Sequence, residues 1–330
     1  MIMEKNAIKR VAILTSGGDA PGMNSSIRAI VKAARWKGLE PYLVYEGYKG
    51  LVEGDIRPAS DIEVDRYINQ GGTFIYSARF PEFKEEKVRL KAKEQLDKKQ
   101  IQALIVIGGD GSYHGAQLLH TIGIKTIGLP GTIDNDISSS DYTIGFFTAL
   151  ESIVSNIDRI RDTARSHHRC ILVEVMGRYA GDLAVYSGIA TGAELIITAE
   201  NKMAIEDIVK VVDHQMNKLK KDSVIIIVTE HVYENLKEIA QKIQTETNVD
   251  TRESILGHLQ RGGTPTGMER YVAAQMSTYA IELLCDGQSG LAIGLVNNKL
   301  QALPILEALA QPRPKYIELI NKYAKINQEK

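Results

Sequence analysis

Six short, mostly apolar runs set the frame of this chain: Val11–Leu14, Pro41–Tyr45, Ala103–Ile107, Thr126–Leu129, Cys170–Val175 and Val224–Val228. Each is too short for a helix and lacks the alternation of a half-exposed strand, which is the pattern of strands covered on both faces in a parallel sheet. Between them lie longer stretches with helical spacing or composition, at Ser25–Lys37, 82–100 and Phe146–Asp162. The second is so rich in Lys and Glu that it reads as a solvated face. This alternation predicts an α/β protein with largely parallel sheets. No repeat, low-complexity tract or long linker interrupts it. A chain of 330 residues has room for two cores, since domains commonly hold about 100–200 residues.

All but the last of these runs reach a glycine within three residues. After the first run, Thr15-Ser16-Gly17-Gly18-Asp19-Ala20-Pro21-Gly22-Met23-Asn24 leads into a helix. Glycines at 17, 18 and 22 let backbone approach a ligand, and a helix N-terminus offers unpaired N–H groups to an anion. The loop is neither G-x-G-x-x-G nor G-x-x-x-x-G-K-[ST], so it assigns neither a dinucleotide nor a Walker-type nucleotide. An unliganded strand-to-helix turn would use the same residues. Gly47-Tyr48-Lys49-Gly50 reads as a turn whose aromatic lies against a base or closes a core edge. In Gly71–Pro81, Arg79 stands between flexible glycines and a proline stop, on a segment expected to face a cleft; the alternative is a solvated surface charge. Gly108-Gly109-Asp110-Gly111-Ser112 places an acid among three glycines. It offers amides for phosphate, a carboxylate for magnesium and, in Ser112, a cap for the next helix.

Pro130-Gly131-Thr132-Ile133-Asp134-Asn135-Asp136 sets two carboxylates two residues apart just beyond a strand. In an open parallel sheet that is where ligands bind, and a base is expected there. The alternative is a loop whose Asx side chains cap their own backbone. Downstream, Arg159, Arg161, Arg165, His167 and His168 form a basic helix end, favoured by the helix dipole. Arg169 adjoins the next strand, whose exit is Met176-Gly177-Arg178-Tyr179-Ala180-Gly181. Arg178, between a glycine and a helix start, is placed to meet a phosphoryl group with a forked pair of hydrogen bonds. Glu230 ends the last apolar run as an acceptor for sugar hydroxyls. His258 and Arg261, beside Gly262 and Gly263, suggest a second phosphate pocket or, for the histidine, a structural role. These parts fit phosphoryl transfer from a nucleotide to a phosphorylated acceptor, a reaction governed by positioning, metal and arginines.

Composition narrows the setting. With 44% hydrophobic and 25% charged residues and a formal charge of −1, the chain has no general attraction to nucleic acid or anionic lipid. Cys170 and Cys285 match no metal or redox spacing, so a reducing cytoplasm is the simplest setting. Met1–Arg10 is charged and lacks an apolar signal core, and the run Val224–Val228 is too short to cross a bilayer.

Six stretches in order, T-S-G-G-D-A-P-G-M-N, G-G-T-F-x-x-S-A-R-F-P, I-G-G-D-G-S, P-G-T-I-D-N-D, M-G-R-Y-A-G-D and G-H-L-Q-R-G-G, resemble the bacterial ATP-dependent 6-phosphofructokinases over residues 11 to about 300. The resemblance implies two Rossmann-like three-layer domains: an ATP-binding domain of residues 1–143 plus 260–306, and a sugar-phosphate domain of residues 144–259 plus 307–330. It implies Asp134 as the base for the sugar 1-hydroxyl, supported by Asp136, with Thr132 and Arg178 on the phosphoryl in transit. Gly17, Gly18, Arg79, Gly109, Gly111 and Ser112 would hold ATP, with Tyr48 and Phe80 near the nucleoside and Asp110 on magnesium. Ile133, Met176, Gly177 and Glu230 would hold fructose 6-phosphate, with its phosphate on His258 and Arg261. Arg169 and Arg252 would reach it from a neighbouring subunit of a homotetramer. In the pyrophosphate-dependent branch an acid commonly stands at the position of Gly111 and a lysine at that of Gly131, so ATP is expected here.

Many members also bind ADP or phosphoenolpyruvate at a second subunit interface, and the matching positions are Arg28, Lys32, Asp61, Arg161, Gly192, Glu194 and the loop Lys218–Ser223, with Lys220 and Lys221. Lys32 stands where arginine is usual, Asp61 where arginine is frequent, and the loop is one residue longer with Asp222 among its lysines. Lysine lacks the planar fork and an acid opposes an anion, so weakened control and a near-hyperbolic response to fructose 6-phosphate are expected.

Overall fold

The computed structural model describes residues 8–329; most of the charged stretch Met1–Arg10, and with it the reading of that stretch, lies outside them. The chain begins with β1 (Arg10–Thr15), β2 (Glu40–Val44), β3 (Ile56–Pro58), β4 (Ala103–Gly108), β5 (Lys125–Thr132) and the short β6 (Ile144–Gly145). A second group follows: β7 (Cys170–Val175), β8 (Leu195–Ile197), β9 (Val224–Thr229) and β10 (Thr251–Ile255). Then come β11 (Leu291–Val296) and β12 (Lys299–Pro304). Two compact units result. Unit 1 takes the stretch ending at Ile133 together with Ile137–Thr148 and Arg261–Arg313, and unit 2 takes Asp134–Asp136, Ala149–Gln260 and the stretch from Pro314 onward. Asp134–Asp136 thus counts with unit 2 although the chain on either side of it counts with unit 1.

In unit 1 the sheet order is β12-β11-β5-β4-β1-β2-β3, with β6 beside β5. Only the β2–β3 and β11–β12 pairs are antiparallel. From β1 the chain builds one way through β2 and β3 and the other way through β4 and β5, so a switch in strand order falls between β1 and β4, where open α/β sheets bind ligands. Thr15 pairs with Ile107 and Gly108 with Pro130. That register brings three glycine-bearing strand exits side by side at one end of the sheet. Leu14, Leu51, Leu104, Val106, Tyr113 and Leu119 belong to the core that holds it. Unit 2 has the all-parallel order β10-β7-β9-β8. Its Val175 pairs with Thr229 and Ile255 with Glu174, which gathers the exits of β7, β9 and β10. Cys170, Leu172, Ile226 and Ile243 lie in its core.

Three local expectations change. Gly47–Gly50 is not a turn but the start of a helix, Gly47–Glu53; Gly47 makes the change of direction with φ of 59°, and a Cβ there would meet the Thr15 carbonyl. Ser112 does not cap its helix, which starts at Asp110 with Gly109 as the cap. Residues 82–100 are not uniformly solvated. The stretch divides into the short turn Pro81–Lys84 and the helix Glu86–Lys98, and Phe83, Arg89, Ala92 and Leu96 are buried.

One buried acid in unit 1 serves as a helix cap from a distance. Glu269, fully buried, accepts from the Gly145 N–H at 2.6 Å and from the Thr148 N–H and hydroxyl at 3.1 and 3.2 Å, satisfying the start of the helix Phe146–Ser166. Burial pushes its carboxyl up to about 7, against these hydrogen bonds, which pull it down. Because the folded value lies above the unfolded one, this group's contribution is present in acid and is lost as pH rises through about 7. Glu269→Gln removes the titration. Urea unfolding at about pH 5 and about pH 8 should show the native protein losing stability relative to that variant as pH rises; identical pH dependence would contradict the assignment.

Candidate active site

In unit 1 the first glycine loop and the segment from Gln70 to Ser77 line one cleft of about 520 Å³, formed by Gly17, Gly18, Asp19, Asn24, Gln70–Phe74, Tyr76 and Ser77. Asn24 organises it. Its buried amide donates to the carbonyls of Gln70 and Gly71 at 3.0 Å each and accepts from the Phe74 N–H at 2.8 Å. Ser77 donates to the Gly17 carbonyl at 2.7 Å, and Thr15 to that of Tyr76 at 2.8 Å. Arg79, exposed, and Phe80, half-buried, follow directly on this tied segment. The helices Met23–Trp36 and Asp110–Thr121 both begin without a side-chain cap, which leaves their first N–H groups for an anion. At Gly109 and Gly111 an added Cβ would meet nothing, so a ligand can come close to the backbone on either side of Asp110. Thr132 closes β5, and its carbonyl accepts from the Thr143 hydroxyl at 2.6 Å.

Two unit 1 residues have partners that the sequence does not reveal. Tyr48 is buried, stacks on Phe83 with ring centroids 4.2 Å apart and donates its hydroxyl to the Ser112 carbonyl at 2.6 Å. It is a core residue that braces the Asp110 loop from behind. Arg261 donates to the Asp19 carbonyl at 3.0 Å, and a Cβ on Gly18 would collide with its guanidinium, so this arginine lies on the glycine loop. His258 is exposed on the short turn Gly257–Arg261.

In unit 2 the two carboxylates of the D-N-D turn are buried, Asp134 at 7% and Asp136 at 6% exposure. Asn135 between them is left-handed, with φ of 53°, a conformation that asparagine tolerates better than most residues. Arg178 comes to 3.8 Å from Asp136. It too is left-handed, at 58°, after Gly177 at 143°, where a Cβ would strike the Ala180 carbonyl. Glu230 holds this turn, accepting from the N–H groups of Gly177 and Arg178 at 3.2 and 2.8 Å. Met176 donates its N–H to the buried Gln260 at 3.0 Å. Arg169 and Arg252 converge on Asp250, at 2.6 and 2.9 Å. The sequence assigns no role to Asn24, Gln260 or Asp250, although Asn24 and Gln260 stand inside quoted motifs. Asp182 closes another, and it accepts from Asn135 at 2.9 Å.

The effector-type positions fall into two sets. In unit 1, Arg28 and Lys32 both pair with Asp65, at 2.7 and 2.5 Å, while Asp61 is exposed and accepts from Ser60 at 2.9 Å. In unit 2, Arg161 donates to the Thr191 and Gly192 carbonyls at 2.8 and 3.4 Å, and burial lowers its pKa from the usual arginine value. Glu194 accepts from the Ile225 N–H at 2.8 Å and lies 3.6 Å from Lys221. Lys221 also donates to the Asn327 carbonyl at 2.6 Å. Lys220 is left-handed at 56°, and Asp222 faces His168 at 3.9 Å.

Parallel sheets with open glycine loops at uncapped helix starts, a buried carboxylate turn and an arginine beside it define an α/β protein built to handle phosphate groups. Comparison with known proteins makes the class specific. Residues 10–284 match the phosphofructokinase family. The ATP-dependent 6-phosphofructokinase of Mycoplasmopsis pulmonis (strain UAB CTIP) is 57% identical over 306 residues, covering 93% of this chain and 94% of that one. The enzyme of the same name from Edwardsiella ictaluri (strain 93-146) is 50% identical, over 92% and 94% of the two chains. Among solved structures, phosphofructokinase from Saccharomyces cerevisiae superposes with a TM-score of 0.86 at 32% identity; it covers 97% of this chain, which spans 47% of the yeast one. A pyrophosphate-dependent phosphofructokinase from Marinobacter aquaeolei shares the fold, with a TM-score of 0.85 at 18% identity. The chain belongs to the phosphofructokinase family.

The burial of Tyr48 yields a direct test. Tyr48→Phe should keep the Michaelis constant for ATP within about twofold while lowering unfolding free energy by about 1 kcal/mol, the scale of one lost hydrogen bond. A large rise in that constant with stability unchanged would return Tyr48 to the nucleotide.

Proposed function

We propose that the protein transfers the γ-phosphoryl group of ATP to the 1-hydroxyl of D-fructose 6-phosphate, giving fructose 1,6-bisphosphate and ADP. The observation that carries this reading is the buried Asp134–Asp136 turn with Arg178 on it, in a chain 57% identical to an ATP-dependent 6-phosphofructokinase. Asp134 accepts the proton of the 1-hydroxyl as the sugar oxygen forms its bond to the γ-phosphorus; the bond from that phosphorus to the β,γ-bridging oxygen breaks, and its electron pair leaves with ADP. Arg178, oriented by Asp136 and by its own left-handed backbone, stabilises the charge on the phosphoryl oxygens, and Thr132 donates to the same group. Gly17, Gly18, Arg79, Gly109, Gly111 and Ser112 hold the nucleotide phosphates, and Phe80 lies by the nucleoside.

Asp110 fits magnesium: it is half-exposed between two glycines that leave room on both sides. This ion needs only one or two protein carboxylates, the remaining positions being filled by phosphate oxygens and water. When bound it neutralises charge on the phosphates. Glu230, Met176, Gly177 and the Ile133 backbone hold the fructose ring, and His258 and Arg261 its 6-phosphate. Arg169 and Arg252, held by a common acid and partly exposed, reach that phosphate from a neighbouring subunit of a homotetramer. The enzyme works in the cytoplasm; among the described residues no helix is long and apolar enough to cross a membrane.

Control by ADP and phosphoenolpyruvate is weakened. Arg28 and Lys32 are already paired with Asp65, and Lys221 with Glu194 and the Asn327 carbonyl, so an anionic effector has to compete with internal partners.

Two measurements test these readings. Asp134→Ser should lower turnover by about 10² or more while ATP binding changes little, in a coupled assay with fructose 6-phosphate and either ATP or pyrophosphate as donor. Near-native turnover removes Asp134 from the mechanism, and a preference for pyrophosphate overturns the choice of donor. Initial rates against fructose 6-phosphate should be near-hyperbolic with or without millimolar ADP or phosphoenolpyruvate; sigmoidicity relieved by ADP would show a working effector site.

A further inference from the structure

The carboxylate turn is held from behind by a relay that ends in the last segment of the chain. Asn135 donates its amide to Asp182 Oδ1 at 2.9 Å. The same oxygen accepts from the Tyr316 hydroxyl, also at 2.9 Å. Asp182 is only 5% exposed and is the first residue of the helix Asp182–Thr191, where the helix dipole favours a negative charge. One turn further along that helix, Tyr186 packs edge-on against Tyr316, with centroids 6.2 Å apart and planes at 86°. Burial pushes the Asp182 carboxyl up, while the bonds from Asn135 and Tyr316 pull it down. Both partners favour the carboxylate.

Tyr316 immediately precedes the helix Ile317–Gln328. That helix is tied at its far end as well. Asn327 and Gln328 donate to the carbonyls of Ala193 and Glu194, at 2.9 and 3.1 Å, and Gln215 donates to the Gln328 carbonyl at 3.0 Å. The C-terminal segment is therefore fixed at both ends within unit 2. Its tyrosine holds the acid that holds the turn. Asn135 is left-handed, and the bond from its side chain to Asp182 helps to fix the backbone between the two aspartates.

We propose that Asp182 and Tyr316 are positioning residues for phosphoryl transfer, acting through Asn135 to fix the Asp134–Asp136 turn. The proposal rests on the reading of Asp134 as the base. Neither residue touches the reacting atoms, so each should alter turnover and leave substrate binding largely intact. A base displaced by about 1 Å can lose up to about a hundredfold in rate.

The test uses the full chain, with turnover, Michaelis constants and the pH profile of kcat measured for Asp182→Ala, Asp182→Asn and Tyr316→Phe. Asp182→Ala should lower kcat by about 30-fold to 100-fold with Michaelis constants within about threefold. Asp182→Asn, which keeps an oxygen for both donors, should restore most of that loss. Tyr316→Phe removes one donor and should cost about threefold to tenfold; as a mild substitution it also stands in should Asp182→Ala fail to fold. The acid limb of the kcat profile, which reports the base, should move in both Asp182→Ala and Tyr316→Phe. Placing Asp182→Ala in the Asp134→Ser background should have little further effect on the residual rate, because the two changes remove one function.

Native turnover and an unmoved acid limb in Asp182→Ala and Tyr316→Phe, beside a crippled Asp134→Ser, overturn the positioning role and leave the base in place. An equal proportional loss in both backgrounds also overturns it, as the mark of a general structural defect. Near-native turnover in Asp134→Ser overturns the base reading itself.

Discussion

Two carboxylates two residues apart, both more than nine-tenths buried, are a costly feature that the rest of unit 2 has to accommodate. Removing a charge from water is expensive, and two like charges raise the cost further. Unit 2 is arranged around that problem. Arg178 faces Asp136, Glu230 fixes the turn that carries Arg178, and Asn135 is anchored to Asp182. Two non-glycine residues at positive φ, Asn135 and Arg178, persist because neighbouring groups over-determine them, as is usual where backbone strain serves a site.

The same device recurs at the cationic clusters. Asp250 gathers Arg169 and Arg252, and Asp65 gathers Arg28 and Lys32. An acid behind a pair of cations narrows their rotamers and lowers the local charge at once. Phosphate recognition in such a place is a competition: the incoming anion gains attraction from the cations and opposes the resident carboxylate. Exposed pairs of this kind contribute little to stability, about 0–1 kcal/mol, so their effect is on orientation and affinity.

Apolar runs ending in glycine made the parallel sheets and their ligand-bearing ends legible in the sequence, because those runs answer to local burial and turn chemistry. Pairing partners distant in sequence were not legible. Asp182 stands in a quoted motif, yet its partners lie 47 and 134 positions away, and nothing local distinguishes it from an ordinary acid in a first helical turn. Tyr48 between two glycines looks the same whether it faces a base or the core; stacking on Phe83 decides it. The contact of Arg261 with the Asp19 carbonyl, 242 positions away in the chain, has no local signal either. Where the chain passes between units is a matter of summed packing, and no composition shift marks it.

On the proposed function, the turn presents Asp134 to an alcohol and not to water. Phosphorus NMR of the native protein with magnesium, ATP and fructose 6-phosphate measures that directly, because each fate of the γ-phosphoryl group gives a separate resonance. The account predicts ADP and a new sugar phosphomonoester at the 1-position appearing in equal amounts, with no free phosphate beyond background and no consumption of pyrophosphate offered in place of ATP. Inorganic phosphate accumulating while fructose 6-phosphate persists, or pyrophosphate serving as the better donor, would contradict it.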